Sequence, residues 1–140
     1  MSEHQHLETS QRPFTVLVTG ASRGIGLEFA RAWLARGAYV IATARMPAAA
    51  TELQALREQY SEQLRIMQLD IKDERSIELL SGALGNTQVD LLINNAGIMH
   101  VESLDSMDFA SIMEQFKVNA LGPLHVTQSL LQNLVDGAKV

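Results

Sequence analysis

The chain has 140 residues, 46% of them hydrophobic and 19% charged, enough for one domain that buries roughly two-thirds of its unfolded surface. Lys and Arg number 11 against 16 Asp and Glu, a formal net charge of -5, which disfavours nucleic acid and anionic lipid as partners. There is no cysteine, which excludes disulfides, thiolate nucleophiles and cysteine-ligated zinc.

The start, Met1 to Arg12, is polar, unlike a signal peptide, and is expected as a disordered tail. His4 and His6 lack further ligands at metal spacing, so no metal site is expected. The apolar stretches are too short and interrupted for a bilayer, and a cytoplasmic protein is the expectation. Neither a repeat nor a linker divides residues 13–140, which are read as one unit.

Thr15 to Thr19 is a β-branched apolar run ending at Gly20, as in a buried parallel strand. A helix follows, with Ile25, Phe29 and Trp33 at four-residue spacing, Ala30 and Leu34 beside them, and Gly37 placed for a left-handed C-cap. Tyr39 to Thr43 is the second strand, Leu53, Leu56 and Tyr60 mark the second helix, and Leu64 to Leu69 is the third strand. Asp73 is the expected N-cap of a helix carrying Ile77, Leu80 and Leu84, and Val89 to Ile93 is the fourth strand. A long helical region runs from Ser106 to Leu134, with Ile112, Met113, Phe116, Ala120, Leu124, Leu130, Leu131 and Leu134 at helical spacing and Gly122-Pro123 interrupting it. The alternation predicts an α/β fold, a doubly wound Rossmann-like parallel sheet with helices on both faces.

Ligands of such sheets bind beyond the strand carboxyl ends, where the sequence places its motifs. T-G-A-S-R-G-I-G, Thr19 to Gly26, spans the first strand-to-helix turn. Gly20, Gly24 and Gly26 let the backbone turn sharply and approach a pyrophosphate, which the N–H groups of the helix start then meet. The second strand ends I-A-T-A-R. At the distance where an acid would read a ribose 2′-hydroxyl stands Arg45, and Arg23 in the loop adds a second cation. Guanidinium groups pair with a 2′-phosphate, so NADP is expected over NAD, the bland alternative being two solvated arginines.

Asp70 suits either a bond to an adenine amino group or plain helix capping. Asn94 to Gly97 caps the fourth strand. Asn94 is read as structural and Asn95 as nearer a cofactor, with Ala96 and Gly97 keeping the strand end open to a flat ligand. Four residues before Pro123 stands Asn119. Proline has no N–H, so the carbonyl of residue 119 loses its helical partner and is free for water or ligand, unless the Gly-Pro pair is simply a kink.

Together, Thr19–Gly26, Asp70, Asn94–Gly97 and Val118-Asn119 resemble the short-chain dehydrogenase/reductase family, over nearly all of the chain after Pro13. Phe116 to Gln128 is most similar to the branch of sniffer-type carbonyl reductases and C-factor proteins. The resemblance implies strand order 3-2-1-4 and NAD(P)-dependent hydride transfer between nicotinamide and a carbonyl or alcohol. It implies Ser22, Arg23, Ile25, Arg45, Asp70, Ile71 and Asn95 as cofactor-site residues. The family's catalytic tetrad is Asn, Ser, Tyr and Lys, with Tyr-x-x-x-Lys; Asn119 matches its asparagine, whose main-chain carbonyl holds a relay water. Thr43 follows Tyr39 and Leu64 follows Tyr60 at four residues, so neither tyrosine makes the motif.

The chain is accordingly expected to stop before the fifth strand, leaving the fourth as an open edge, to hold NADP and to be inactive alone. A non-catalytic NADP-binding or subunit-pairing module, or an unstable truncated gene product, is the alternative. Association through the long helix leaves a homo-oligomer open.

Overall fold

The computed structural model describes residues 12–140; Met1 to Gln11, and with them His4, His6 and most of the expected tail, lie outside the described residues. Strand β1 (Thr15–Val18), helix α1 (Gly24–Ala35) and strand β2 (Tyr39–Ala44) come first. A 3-10 turn (Pro47–Ala49), α2 (Thr51–Gln59), β3 (Leu64–Gln68), α3 (Glu74–Leu84) and β4 (Val89–Ile93) follow. The chain continues through α4 (Phe109–Phe116), a π-helical turn (Lys117–Leu121), α5 (Gly122–Ser129) and β5 (Leu134–Lys139). All neighbouring strands pair in parallel, in the order β3-β2-β1-β4-β5.

The two-residue period of the strands builds a core on each face of the sheet. Val16, Val18, Val40 and Ala42 meet Leu27, Ala30 and Leu34 of α1 and Leu53 and Leu56 of α2. Leu17, Ile41 and Leu92 meet Ile77, Leu80 and Leu84 of α3 and Val126 of α5. Helix ends follow the sequence signals. At the end of α1, Gly37 has φ +83°, its N–H donates to the Leu34 carbonyl and that of Ala38 to Trp33, the paired bonds of a Schellman cap. At the start of α3, Asp73 Oδ1 accepts the Arg75 N–H at 3.0 Å.

The four-strand order expected from sequence is present, and the structure corrects its boundary. A fifth strand lies beside β4, so β4 is internal and β5 is the edge. Leu134 pairs with Val89 and Lys139 with Leu91, so β5 bulges between them, where Gly137 takes φ +80°. Asn133, buried, holds this strand in place: its Nδ2 donates to the carbonyls of Gly85 (2.8 Å) and Thr87 (2.9 Å). Its own carbonyl accepts the Val89 N–H.

Two further expectations are corrected. The buried stripe of α1 is Leu27, Ala30 and Leu34, while Ile25 is 71% exposed; the helix is apolar over a wide arc, and packing rather than spacing selects the inward face. The long helical region is three pieces rather than one. Pro123 cannot donate an N–H, and the π-helical turn before it absorbs the mismatch, with the Gly122 N–H reaching the Lys117 carbonyl. Of the residues read at helical spacing, Met113, Phe116 and Leu124 are exposed and Leu134 begins β5 instead.

Arg12, expected in the tail, is fixed on the fold. Its Nη1 and Nη2 donate to Oδ2 and Oδ1 of Asp90, both at 2.7 Å, and the Thr15 N–H donates to the same Oδ2 at 2.8 Å. The Arg12 hydrogen bond, more than any other influence, holds the Asp90 carboxyl below its ordinary pKa.

Candidate functional site

The turn after β1 is bolted to the turn after β4 by one buried hydroxyl. Thr19 Oγ1 accepts the N–H groups of Asn95 and Ala96, each at 3.0 Å, and the Thr19 N–H donates to the Ile93 carbonyl. The Ala96 donor would otherwise be orphaned as β4 leaves the sheet, whereas that of Asn95 also reaches the Ile93 carbonyl at 3.1 Å. Asn95 Nδ2 adds a bond to the Gly20 carbonyl at 3.0 Å.

The glycines serve different ends. Gly20 has φ +65°, and a Cβ there would sit 2.8 Å from the Ala96 Cα, closer than non-bonded carbons approach. At Gly24 φ is +58° with open space around it. A Cβ on Gly26 would strike the Gly20 carbonyl and come within 2.5 Å of Asn95 Nδ2. The loop therefore passes into α1 through Arg23 in extended conformation, with no side-chain cap and no acid in the first turn. That leaves leading N–H groups and the positive end of the helix dipole without a counter-charge from the helix itself.

Beyond the carboxyl ends of the strands lies a cleft of about 580 Å³, within the range of small-molecule sites. Gly20, Ser22, Arg23, Gly24, Arg45, Asp70, Ile71, Asn95, Ala96 and Gly97 line it. An adjoining lobe of about 480 Å³ is lined by Ser22, Arg45, Met46, Ala49, Ala50, Gln68 and Asp70. Ser22, Arg45 and Asp70 belong to both, which makes one continuous groove. Arg23 and Arg45 are exposed, and neither is in an ion pair among the described residues. Asp70 Oδ1 accepts the Lys72 N–H at 3.0 Å, an Asx turn that orients the carboxylate.

Ile25 and Gly26 are the two predicted cofactor residues that do not line the groove: Ile25 points out from the first turn of α1, and Gly26 supplies close packing beneath it. Asn94 Nδ2 donates to Thr127 Oγ1 at 3.1 Å, and that hydroxyl donates to the Pro123 carbonyl at 2.8 Å, which ties β4 to α5. Asn119 stands in the π-helical turn. Its side chain grips one residue in both directions: Oδ1 accepts the Ile98 N–H at 2.8 Å and Nδ2 donates to the Ile98 carbonyl at 2.7 Å. Sequence reasoning pointed to the Asn119 carbonyl and missed this side-chain clamp, which spans 21 residues.

Lys72, Met99 and His100 also line the cleft and were not foreseen, although Lys72 directly follows Asp70-Ile71. Lys72 Nζ pairs with Glu114 at 3.1 Å, and the His100 N–H donates to Gln115 Oε1 at 3.0 Å. Both tyrosines are remote: Tyr39 begins β2 and Tyr60 ends α2, at the amino end of the sheet. No helix among the described residues is long and apolar enough to cross a membrane, and no group of acids and histidines among them is arranged to hold a metal.

A parallel sheet with a glycine turn and an uncapped helix N-terminus beside its central strand is the architecture of nucleotide-binding α/β proteins. Residues 14–139 match the short chain dehydrogenase family, and the chain belongs to that family, whose members bind a nicotinamide cofactor. An uncharacterized oxidoreductase of Bacillus subtilis, YusZ, is 38% identical over 129 residues, covering 89% of this chain and 46% of that protein. A carbonyl reductase from Pseudomonas aeruginosa PAO1 in complex with NADP superposes with a TM-score of 0.84 at 37% identity, over 89% of this chain and 58% of that one. The NADPH-bound carbonyl reductase from chicken fatty liver gives 0.81 at 36% identity, over 88% and 52%. The chain thus spans about half the length of the relatives it matches.

Proposed function

We propose that residues 13–140 form the NADP(H)-binding part of an oxidoreductase that moves hydride between nicotinamide and a carbonyl or alcohol. The observation that carries this reading is the pair Arg23 and Arg45, unpaired among the described residues and on the same groove as the glycine turn. The residues fit such a ligand. At Gly20 and Gly24 the positive φ and the lack of a side chain leave backbone for a pyrophosphate to approach, and the uncapped start of α1 offers N–H donors to its charge. Arg23 and Arg45 pair with a 2′-phosphate where an acid would repel it. Asp70 keeps one carboxylate oxygen for the adenine amino group, while Ala96 and Gly97 leave the end of β4 flat. When bound, the dinucleotide supplies the hydride donor or acceptor. Asn119 holds Ile98 and hence the wall of the cleft; its carbonyl, four residues before Pro123, is the group assigned to a relay water.

Tyr39 and Tyr60 lie at the far end of the sheet, so these 140 residues place no phenol at the cleft to pass a proton. A polypeptide of these residues alone is expected to bind nucleotide without reducing carbonyl compounds. The two NADP-bound relatives favour the phosphorylated cofactor. Calorimetry tests the reading: NADPH should bind tighter than NADH, and Arg45→Ala should weaken NADPH about tenfold with little change for NADH. Equal affinities for the two cofactors in the unsubstituted chain would overturn it.

A further inference from the structure

Arg45 and Asp70 lie just past the last rung of the β2–β3 ladder. Ala44 pairs with Gln68, and the Leu69 N–H donates to the Ala44 carbonyl; beyond that point neither strand has a backbone partner to give the other. Side chains take over. The Asp70 N–H donates to Ser76 Oγ at 2.8 Å, Ser76 Oγ donates to Gln68 Oε1 at 3.1 Å, and Gln68 Nε2 donates to the Arg45 carbonyl at 3.4 Å. Ser76 is 3% exposed on the first turn of α3, a rigid element, while Gln68 is exposed and lines the outer lobe with Arg45.

We infer that Ser76 and Gln68 are positioning residues that set the preference for a 2′-phosphorylated adenosine by joining the backbones of Arg45 and Asp70. The two play different parts. Ser76 holds the Asp70 turn and also anchors Gln68; Gln68 reaches only Arg45. A buried hydroxyl has a fixed place, and a chain of hydrogen bonds that starts from it passes that fixity outward to an otherwise mobile strand end. An arginine whose backbone is held loses less freedom when its guanidinium closes on a phosphate.

This inference rests on the NADP reading above, and adenosine fragments separate the two. Binding of 2′,5′-ADP and of 5′-AMP is measured by calorimetry on the 140-residue chain and its variants. The unsubstituted chain should prefer 2′,5′-ADP. In Gln68→Ala that preference should fall roughly three- to tenfold, the worth of one hydrogen bond, because 2′,5′-ADP loses more affinity than 5′-AMP, with the thermal midpoint retained because Gln68 is exposed. Ser76→Ala should weaken both ligands and lower the preference as well. A full preference retained in Gln68→Ala overturns the relay and leaves the NADP reading standing. Absence of any preference in the unsubstituted chain overturns both.

Discussion

Gly26→Ala should destabilise the fold, although alanine is the better helix former. Gly26 is the third residue of α1, and in an open helix the substitution would gain up to about 1 kcal/mol. Here the added carbon strikes the Gly20 carbonyl and lies 2.5 Å from Asn95 Nδ2, so either α1 moves off β1 or the Asn95 bond to Gly20 breaks. Overpacking of this kind costs roughly 1–3 kcal/mol, and a lost hydrogen bond about 0.5–1.5 kcal/mol. The helical gain offsets part of that, and a net loss of about 1–3 kcal/mol is expected. Urea unfolding followed by the fluorescence of Trp33, which stacks on Phe14 at 5.4 Å, gives the measurement. Gly82→Ala is the control: Gly82 lies inside α3 with nothing within 4 Å of the added carbon, and should gain roughly 0.5–1 kcal/mol. In an Asn95→Ala background the Gly26→Ala penalty should shrink, because one of the two colliding groups is gone. A Gly26→Ala chain as stable as the Gly82→Ala chain would refute the reasoning.

Acid should erase the contribution of Asp90. Its folded pKa is lowered by Arg12, so the stabilisation is present in full above the unfolded carboxylate value of about 4 and is lost as pH falls through the folded value. The difference in urea midpoint between the unsubstituted chain and Asp90→Asn should therefore be largest near neutral pH and vanish in strong acid; a pH-independent difference would contradict the assignment. Thr19→Val, nearly isosteric, leaves the Ala96 N–H without an acceptor and the Asn95 N–H with the Ile93 carbonyl alone, and should cost about 1–3 kcal/mol in the same assay; a loss below about 0.5 kcal/mol would mean that another group satisfies the Ala96 donor.

Local chemistry made much of the fold legible. β4 was read with its observed bounds because an apolar run buried on both faces is bordered by turn residues, and the caps at Gly37 and Asp73 were read because each needs only its own helix end. What escaped depends on distant partners. The sequence L-V-D-G-A-K offers little strand propensity, and it becomes β5 because Asn133 and β4 hold it. The inward face of α1 was misread because Ile25 and Phe29 fit helical spacing as well as Leu27 and Ala30 do. At the site, the glycines and Arg45 announced themselves through their place after strands. The Asn119 clamp and the Ser76–Gln68 relay did not, since each joins segments whose meeting only the folded chain reveals.

The position of β1 has a consequence for how the protein is made. Of the five described strands this one is synthesised first, yet Val16 meets its β4 neighbour Leu91 only after 75 further residues. At ribosomal rates of about 5–20 residues per second, one edge of the future sheet centre stays bare for roughly 4–15 s. During that interval Val16, Leu17 and Val18 have β2 on one side and nothing from their own chain on the other. The strand that leads into the glycine turn is thus also, of the described strands, the segment that nascent-chain binding factors have the longest opportunity to shield.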